Sequence, residues 1–200
     1  VDWLVDRGQI IFQRHCAPVL NIRENLIPGE VVIVIQGTIP NQKGNPVIHE
    51  WVAVRFLGSG LRVESVDPFE TIAKKLKLGS NLYPNSGGKI PNTLNQQRQV
   101  AVDAAHRYLV EKQDNWRQTM KPELEAQRER LKRLRGLQTE QLEISFENDK
   151  RRYEIKKKDF ILQKKIIERR FHDHESFMQN VMSIEPAPYL KLVAVLHRED

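Results

Sequence analysis

Cysteine is nearly absent from this chain of 200 residues, since Cys16 is the only one. A disulfide within the chain is therefore excluded, as is a zinc site built from three or four cysteines. Long apolar runs are also lacking: the longest, residues 31–35, has the length of a strand and falls far short of the roughly 18 residues of a membrane span. We expect a cytoplasmic protein without membrane segments.

The sequence also lacks the motifs of nucleotide chemistry. It has no G-x-x-x-x-G-K-[ST] phosphate loop, no Asp-Glu-x-His box and no G-x-G-x-x-G fingerprint. The run most similar to a phosphate loop is GGK at 87–89. It precedes Pro91 and does not open a helix, so an ordinary loop is favoured. His15 beside Cys16 has no identifiable orienting group for nucleophilic catalysis. We therefore expect no catalysis, no cofactor and no small-molecule substrate.

One short run, His-Asp-His-Glu at 172–175, has the residue types of a metal site. Residues two apart on a helix point about 200° away from each other, so His172 and His174 cannot bind the same ion there. The sequence predicts no metal site.

The first third of the chain has the pattern of β-strands. Residues 30–39 and 47–56 are rich in β-branched and aromatic residues, and the turn formers between them predict a hairpin. Odd and even positions of both strands are largely apolar, which predicts a sheet covered on both faces. Runs 8–15 and 61–66 are further strand candidates, and the alternation of residues 189–197 predicts a last strand in the same sheet.

Helix signals dominate the middle of the chain. Asp67, followed by a proline and Glu70, predicts a capped helix start, and Gly79 predicts the end of that helix. A second capping box at Thr93 and Gln96 opens a run of helix formers that continues almost to residue 183.

A single helix of about 90 residues would be about 135 Å long, so this run is expected to fold back on itself. Residues 136–139 (GLQT) are the predicted reversal, which leaves arms 93–135 and 140–182, with Pro122 kinking or interrupting the first. The predicted fold class is α+β, with a small antiparallel sheet, a short helix and a long antiparallel helical hairpin. The expected domains are a sheet-containing body, 1–92 plus 184–200, and a helical region, 93–183, inserted before the last strand.

Basic charge is concentrated in the helical region. Residues 121–172 carry 16 Lys and Arg against 10 Asp and Glu, an excess that equals the whole net charge of +6. Seven-residue spacing places one stripe of cations, with two neighbours, along a helix: Lys150, Lys157 and Lys164, with Arg151 and Lys158. Such a stripe suits contact with a phosphate backbone, whereas a solvated face balanced by Glu147, Glu154 and Asp159 is the alternative.

An apolar stripe accompanies these cations. Phe146, Tyr153, Phe160 and Ile167 recur every seven residues, although their usual companion positions are polar. The stripe predicts packing within the helical region or docking of a protein partner.

The order of elements resembles the C-terminal domain of the RNA polymerase-associated recycling ATPases, which are Swi/Snf-type helicase-like proteins of bacteria. The resemblance rests on PGEVVIVIQG at 28–37, the return strand ending in Phe56, the charged helix at 123–143 and YLKLVAVLH at 189–197. The chain also resembles bacterial phage-defence helicases.

This resemblance implies an accessory domain without catalysis of its own, which follows two ATPase lobes and couples that motor to DNA or RNA polymerase. The parent protein would be a DNA-dependent ATPase. The alternative is an assembly module whose helical hairpin dimerises or docks a protein partner. The salt dependence of binding distinguishes these two functions, because DNA binding weakens steeply with ionic strength and association through an apolar seam does not.

Overall fold

The computed structural model describes residues 17–22, 25–58, 60–78, 90, 92–147 and 153–198. Within them the order of elements is β1 (Val19–Asn21), β2 (Val31–Pro40), β3 (Pro46–Phe56), β4 (Val63–Pro68), α1 (Phe69–Lys75), α2 (Leu94–Glu147), α3 (Tyr153–Met182) and β5 (Tyr189–His197). The α+β class is confirmed. No helix in this part of the chain has the length and apolar character that crossing a bilayer requires.

The chain divides into two compact units. The sheet unit takes in residues 1–39, 46–113 and 186–200, and the arm unit takes in residues 40–45 and 114–185. Residues 94–113 of α2 therefore belong to the sheet unit, and the rest of α2 belongs to the arm unit with α3.

The five strands form one sheet in the order β1-β5-β2-β3-β4. The predicted hairpin of β2 and β3 is confirmed, and the predicted last strand coincides with β5, which pairs antiparallel with β2. The prediction of a wholly antiparallel sheet is wrong at one edge, because β1 pairs parallel with β5. Candidate strand 8–15 lies outside the described residues, and candidate strand 61–66 is found two residues later as β4.

Both faces of the sheet are covered, as the alternation of β2 predicts. Val31, Ile33 and Ile35 pack in one core with small residues of α2, Ala101, Ala104 and Ala105. Val32 and Val34, from the intervening positions, pack in a second core with Ile72 and Leu76 at α1. Because neighbouring residues of a strand point to opposite faces, one run of β-branched residues supplies both cores.

Close approach of α2 to the sheet depends on a glycine. A Cβ atom at Gly37 in β2 would overlap the fully buried side chain of Leu109 in α2. Any larger residue at this position would have to displace a packed leucine, so the glycine sets how near the helix lies to the strand.

An ion pair is buried at the start of β2. The Glu30 side chain is 3% exposed, and its Oε1 accepts hydrogen bonds from Arg55 Nε at 2.8 Å and from the terminal nitrogen Nη2 at 2.5 Å. Its second oxygen accepts the backbone N–H of Ile27 at 2.9 Å. Both carboxylate oxygens are thus satisfied, which is what burial of a charge requires.

The predicted start of the first helix is wrong by one residue. Asp67 pairs with Ala53 within the sheet, so it belongs to β4 and does not cap a helix. The helix begins at Phe69 with Pro68 as its cap residue and without a capping side-chain hydrogen bond. It ends at Lys75, four residues before the predicted Gly79, which lies outside the described residues.

The predicted reversal at 136–139 is also wrong, because these residues lie inside α2, which is 54 residues long. Nothing approaches the position of a Cβ atom at Gly136 within 4 Å. A glycine in a helix interior costs only about 1 kcal/mol relative to alanine, and the strong helix formers on both sides of it outweigh that cost. The helix also continues through Pro122 without interruption. The two helices are unequal, since α3 has 30 residues.

Candidate nucleic-acid and docking surfaces on the arm unit

The arm unit is built on two antiparallel helices. The rings of Phe146 and Phe160 lie 4.7 Å apart between centroids. Farther along, Lys164 Nζ lies 3.3 Å from Glu143 Oε1, and Arg128 Nε lies 3.7 Å from Glu175 Oε1. In these contacts the residue numbers decrease on α2 as they increase on α3, so the two helices run antiparallel. The predicted helical hairpin is therefore confirmed, although the chain does not reverse at residues 136–139.

The seam between these helices repeats every eleven residues. Among the partly buried residues of α3, one row follows a 4-3-4 spacing: Phe160, Lys164, Ile167, Phe171, Glu175, Met178 and Met182. On α2 a matching row is eleven residues apart: Met120, Leu131 and Leu142. Eleven residues make three turns at 3.67 residues per turn, close to the 3.6 of a straight helix, whereas a seven-residue repeat requires a left-handed supercoil.

The structure divides the predicted apolar stripe between two helices. Phe146 lies in α2, whereas Tyr153, Phe160 and Ile167 lie in α3. Phe146 and Phe160 contact each other, and Ile167 is partly buried in the seam. Tyr153 is the first residue of α3, and its side chain lies outside the description. The described members of the stripe therefore hold the two helices together.

The predicted basic stripe is also divided. Lys150 and Arg151 lie outside the described residues. Lys164 is partly buried at the seam and pairs with Glu143, whereas Lys157 and Lys158 are exposed. Seven-residue spacing alone placed Lys164 with the cations that face solvent, because the position of the seam on α3 cannot be read from the charges.

Another set of cations shares one exposed face of α3: Lys158, Lys165 and Arg169. At about 100° per residue, these three side chains fall within about 40° of one another, on the side of the helix away from Phe160 and Ile167. The Arg169 side chain is 85% exposed, and its Nε is 3.9 Å from Asp173 Oδ2. Such an exposed pair contributes little, so Arg169 is available to another anion. We refer to these three residues as the basic face.

Large apolar side chains are also exposed on both helices of the arm unit. On α2 they are Leu134, Leu137 and Ile144, and on α3 they include Ile161, Leu162 and Ile166. The seven-residue spacing of the aromatic residues does not identify these aliphatic residues. The sequence feature that identifies them is that they lie outside the eleven-residue repeat of the seam.

The turn between β2 and β3 contacts the end of α3 through a hydrogen bond and a cation–π interaction. Asn41 is buried, its Oδ1 accepts the backbone N–H groups of Lys43 and Asn45 at 3.0 Å each, and its Nδ2 donates to Val181 O at 3.2 Å. The Lys43 ammonium lies 3.7 Å from the centre of the Phe177 ring. A groove of about 350 Å³ lies nearby, lined by Trp116, Arg117, Met120, Lys121, Leu124, Met182, Ser183 and Ile184.

In the sheet unit one polar cluster connects β3 to α2. Tyr108 Oη donates to Glu50 Oε2 at 3.1 Å, and Lys112 Nζ lies 3.3 Å from Glu50 Oε1. Burial raises the pKa of the Tyr108 phenol above its ordinary value, and the Glu50 carboxylate adds to that rise. The hydrogen bond to Glu50 raises the pKa of Lys112. Both groups stay protonated at neutral pH, so this cluster suits structural support and not proton transfer.

Within the described part of the chain no three His, Cys, Asp or Glu residues are grouped so that they could hold a metal ion. His172 and His174 are both exposed on α3. The GGK run at 87–89 and the pair of His15 and Cys16 lie outside the described residues. Comparisons of the chain with protein-family models, with curated proteins and with solved structures each gave no match.

Proposed function

We propose that this chain is an accessory domain without catalysis of its own, which couples a helicase-like ATPase motor to nucleic acid through the basic face of α3. The observation that carries the proposal is the clustering of Lys158, Lys165 and Arg169 on one exposed side of a helix whose other side packs against α2. The sequence resemblance supports the motor as the partner, as ATPase lobes of the same protein. RNA polymerase is the other partner that this resemblance implies, and the cytoplasm is the matching compartment.

The spacing of these cations suits a phosphate backbone. Lys158 and Lys165 are seven residues apart, which is about 10.5 Å along a helix, and Arg169 follows about 6 Å farther on. Contacts of this kind position a protein on a duplex without reading its sequence. A domain that accompanies a translocating motor has to bind in that way, since the motor meets every sequence in turn.

The first prediction concerns the salt dependence of DNA binding. The triple variant Lys158→Gln, Lys165→Gln, Arg169→Gln removes three cations while keeping strong helix formers. Binding to a duplex, followed by fluorescence anisotropy over a range of salt concentrations, should weaken. The negative slope of log affinity against log salt should become shallower by roughly 2.7.

A matched control removes the same charge from the sheet unit: Arg62→Gln, Lys74→Gln, Lys75→Gln, all at exposed positions. If the basic face carries the contact, the control keeps the parent's slope. Equal slopes for the parent and the basic-face variant would contradict the proposal and leave the basic face as a solvated surface.

A second candidate function, assembly through the arm unit, is favoured by one observation. Leu134, Leu137 and Ile144 are exposed on α2 at 44%, 55% and 53% of their surface. Large aliphatic side chains clustered on a charged helix are typical of an interaction surface. High salt leaves such an apolar contact intact, which distinguishes it from phosphate binding.

A further inference from the structure

The arm unit contains a cavity of about 260 Å³, which is lined by residues of both helices. Leu131 of α2 and Phe171 of α3 form its apolar side, and both are partly buried in the seam. Sites for small molecules begin at about 300 Å³ and combine apolar side chains with a few polar groups. This cavity is close to that lower limit, so its size suits a small organic ligand.

Three cations of α2 also line the cavity: Arg128, Lys132 and Arg135. Their spacing of four and three residues places them within about 60° of one another around the helix, so they share one face. Among the described residues, neither Lys132 nor Arg135 has an ion-pair partner. Both of these charges are therefore available to a ligand. We call the three residues the cationic wall.

The Arg128 guanidinium has an N–H group without an acceptor. Its Nε is buried and forms no hydrogen bond within the described part of the chain, although the side chain as a whole is 40% exposed. Glu175 Oε1 lies 3.7 Å from this Nε, which is beyond hydrogen-bond range. A buried donor without an acceptor is costly, and a charge-assisted hydrogen bond to an anion would remove that cost.

We propose that this cavity binds the phosphate group of a small phosphate ester. The cationic wall contacts the phosphate oxygens, the Nε–H of Arg128 donates to one of them, and Leu131 and Phe171 contact the organic part. A phosphate monoester carries about −1.5 to −2 charges at pH 7 and three acceptor oxygens. Three cations therefore attract it more strongly than they attract a carboxylate, which carries a single charge.

Two carboxylates line the same cavity, Glu129 and Glu175. Glu175 lies beside Arg128 and offsets part of its charge. The cations still outnumber the carboxylates by three to two, so the cavity carries net positive charge. Glu129 lowers the affinity for an anion, and its removal should strengthen binding. The site is distinct from the nucleic-acid contact, since the basic face is on α3 and the cationic wall is on α2.

An NMR titration of the full chain with phenyl phosphate, at constant ionic strength, tests the proposal. The Nε–H signal of Arg128, assigned by its loss in Arg128→Lys, should shift as the ligand binds, because the phosphate becomes its acceptor. Inorganic phosphate should shift the same signal at higher concentration, since it lacks the ring that Leu131 and Phe171 contact. Benzoate, which has the ring but only one charge, should bind about tenfold more weakly than phenyl phosphate.

Substitutions within one stretch of α2 should change the affinity in opposite directions. Lys132→Gln and Arg135→Gln each remove a cation and should raise the Kd for phenyl phosphate about tenfold, whereas Glu129→Gln removes a like charge and should lower it severalfold. Arg130→Gln is the matched control. Arg130 is exposed and lies about 140 to 160° around α2 from the cationic wall, so this variant should keep the parent's Kd.

The proposal is overturned if the Arg128 signal does not move up to roughly 10 mM phenyl phosphate, a range that covers weak binding. Equal effects of Lys132→Gln and Arg130→Gln would also overturn it. A short single-stranded oligonucleotide tests the other source of phosphate: if it shifts the Arg128 signal and phenyl phosphate does not, the small-ligand site is wrong. The triple variant of the basic face should bind phenyl phosphate as the parent does, and a weaker affinity there would contradict the cavity site.

Discussion

At the scale of single residues, Glu30 and Arg55 form a buried ion pair beside the start of β2. Both oxygens of the carboxylate are used, one by the guanidinium and the other by a backbone N–H group. Two such charges in a low-dielectric site nearly balance their own desolvation. The pair therefore stabilises the fold little as a whole, while either partner alone is costly.

This balance leads to a prediction for Arg55→Met. The variant leaves a carboxylate that is 3% exposed without its cation, and the free energy of unfolding should fall by about 3 kcal/mol. The double variant Glu30→Gln, Arg55→Met keeps an acceptor for the N–H of Ile27 and removes the buried charge, so urea denaturation should show that it recovers more than half of the loss. A double variant as unstable as the single one would show that the ion pair is not the cause.

The sequence shows both charged residues of this pair, but it does not predict that they contact each other. They are 25 residues apart, and only the register of β2 against β3 brings them together. For the same reason the sequence did not predict the contact of Gly37 with Leu109. Residue contacts of this kind depend on tertiary packing, which local patterns do not contain.

At the scale of elements, strands with a strong pattern were predictable and short or competing elements were not. Strands β2, β3 and β5 match their predicted ranges to within a residue because each combines β-branched residues with flanking turn formers. Strand β1 has three residues and no pattern of its own. Asp67 has the chemistry of a helix cap, yet pairing with β3 prevails over capping there.

A further prediction at this scale concerns Gly136. The structure places this residue in the interior of α2, whereas the sequence pattern places it at a reversal of the chain. The Gly136→Ala variant has open space for its Cβ and should raise the free energy of unfolding by about 0.8 to 1 kcal/mol in denaturation followed by circular dichroism. Gly44 is the matched control, since its φ of 81° is in the left-handed region. Gly44→Ala should destabilise the protein. Destabilisation by Gly136→Ala would instead favour the reversal.

At the scale of the whole molecule, the α+β class and the helical hairpin could be predicted, but the functional surfaces could not. The charge excess and the apolar residues of 121–172 are evident in the sequence. Which of them face solvent depends on where the seam lies, and that seam follows an eleven-residue repeat that the seven-residue interpretation missed. As a result Lys164 changes from a candidate phosphate contact to an ion-pair partner of Glu143, while Lys165 and Arg169 join Lys158.

Lysine footprinting tests whether the basic face of α3 contacts phosphate. The chain is acetylated at low salt with and without a short duplex DNA, and each lysine is quantified by mass spectrometry. DNA should lower the reactivity of Lys158 and Lys165 severalfold and leave Lys74 and Lys75 of the sheet unit unchanged, because a lysine paired with phosphate is shielded from the reagent. Unchanged reactivity at Lys158 and Lys165 when DNA is bound, or equal protection of all four lysines, would contradict a phosphate contact at the basic face.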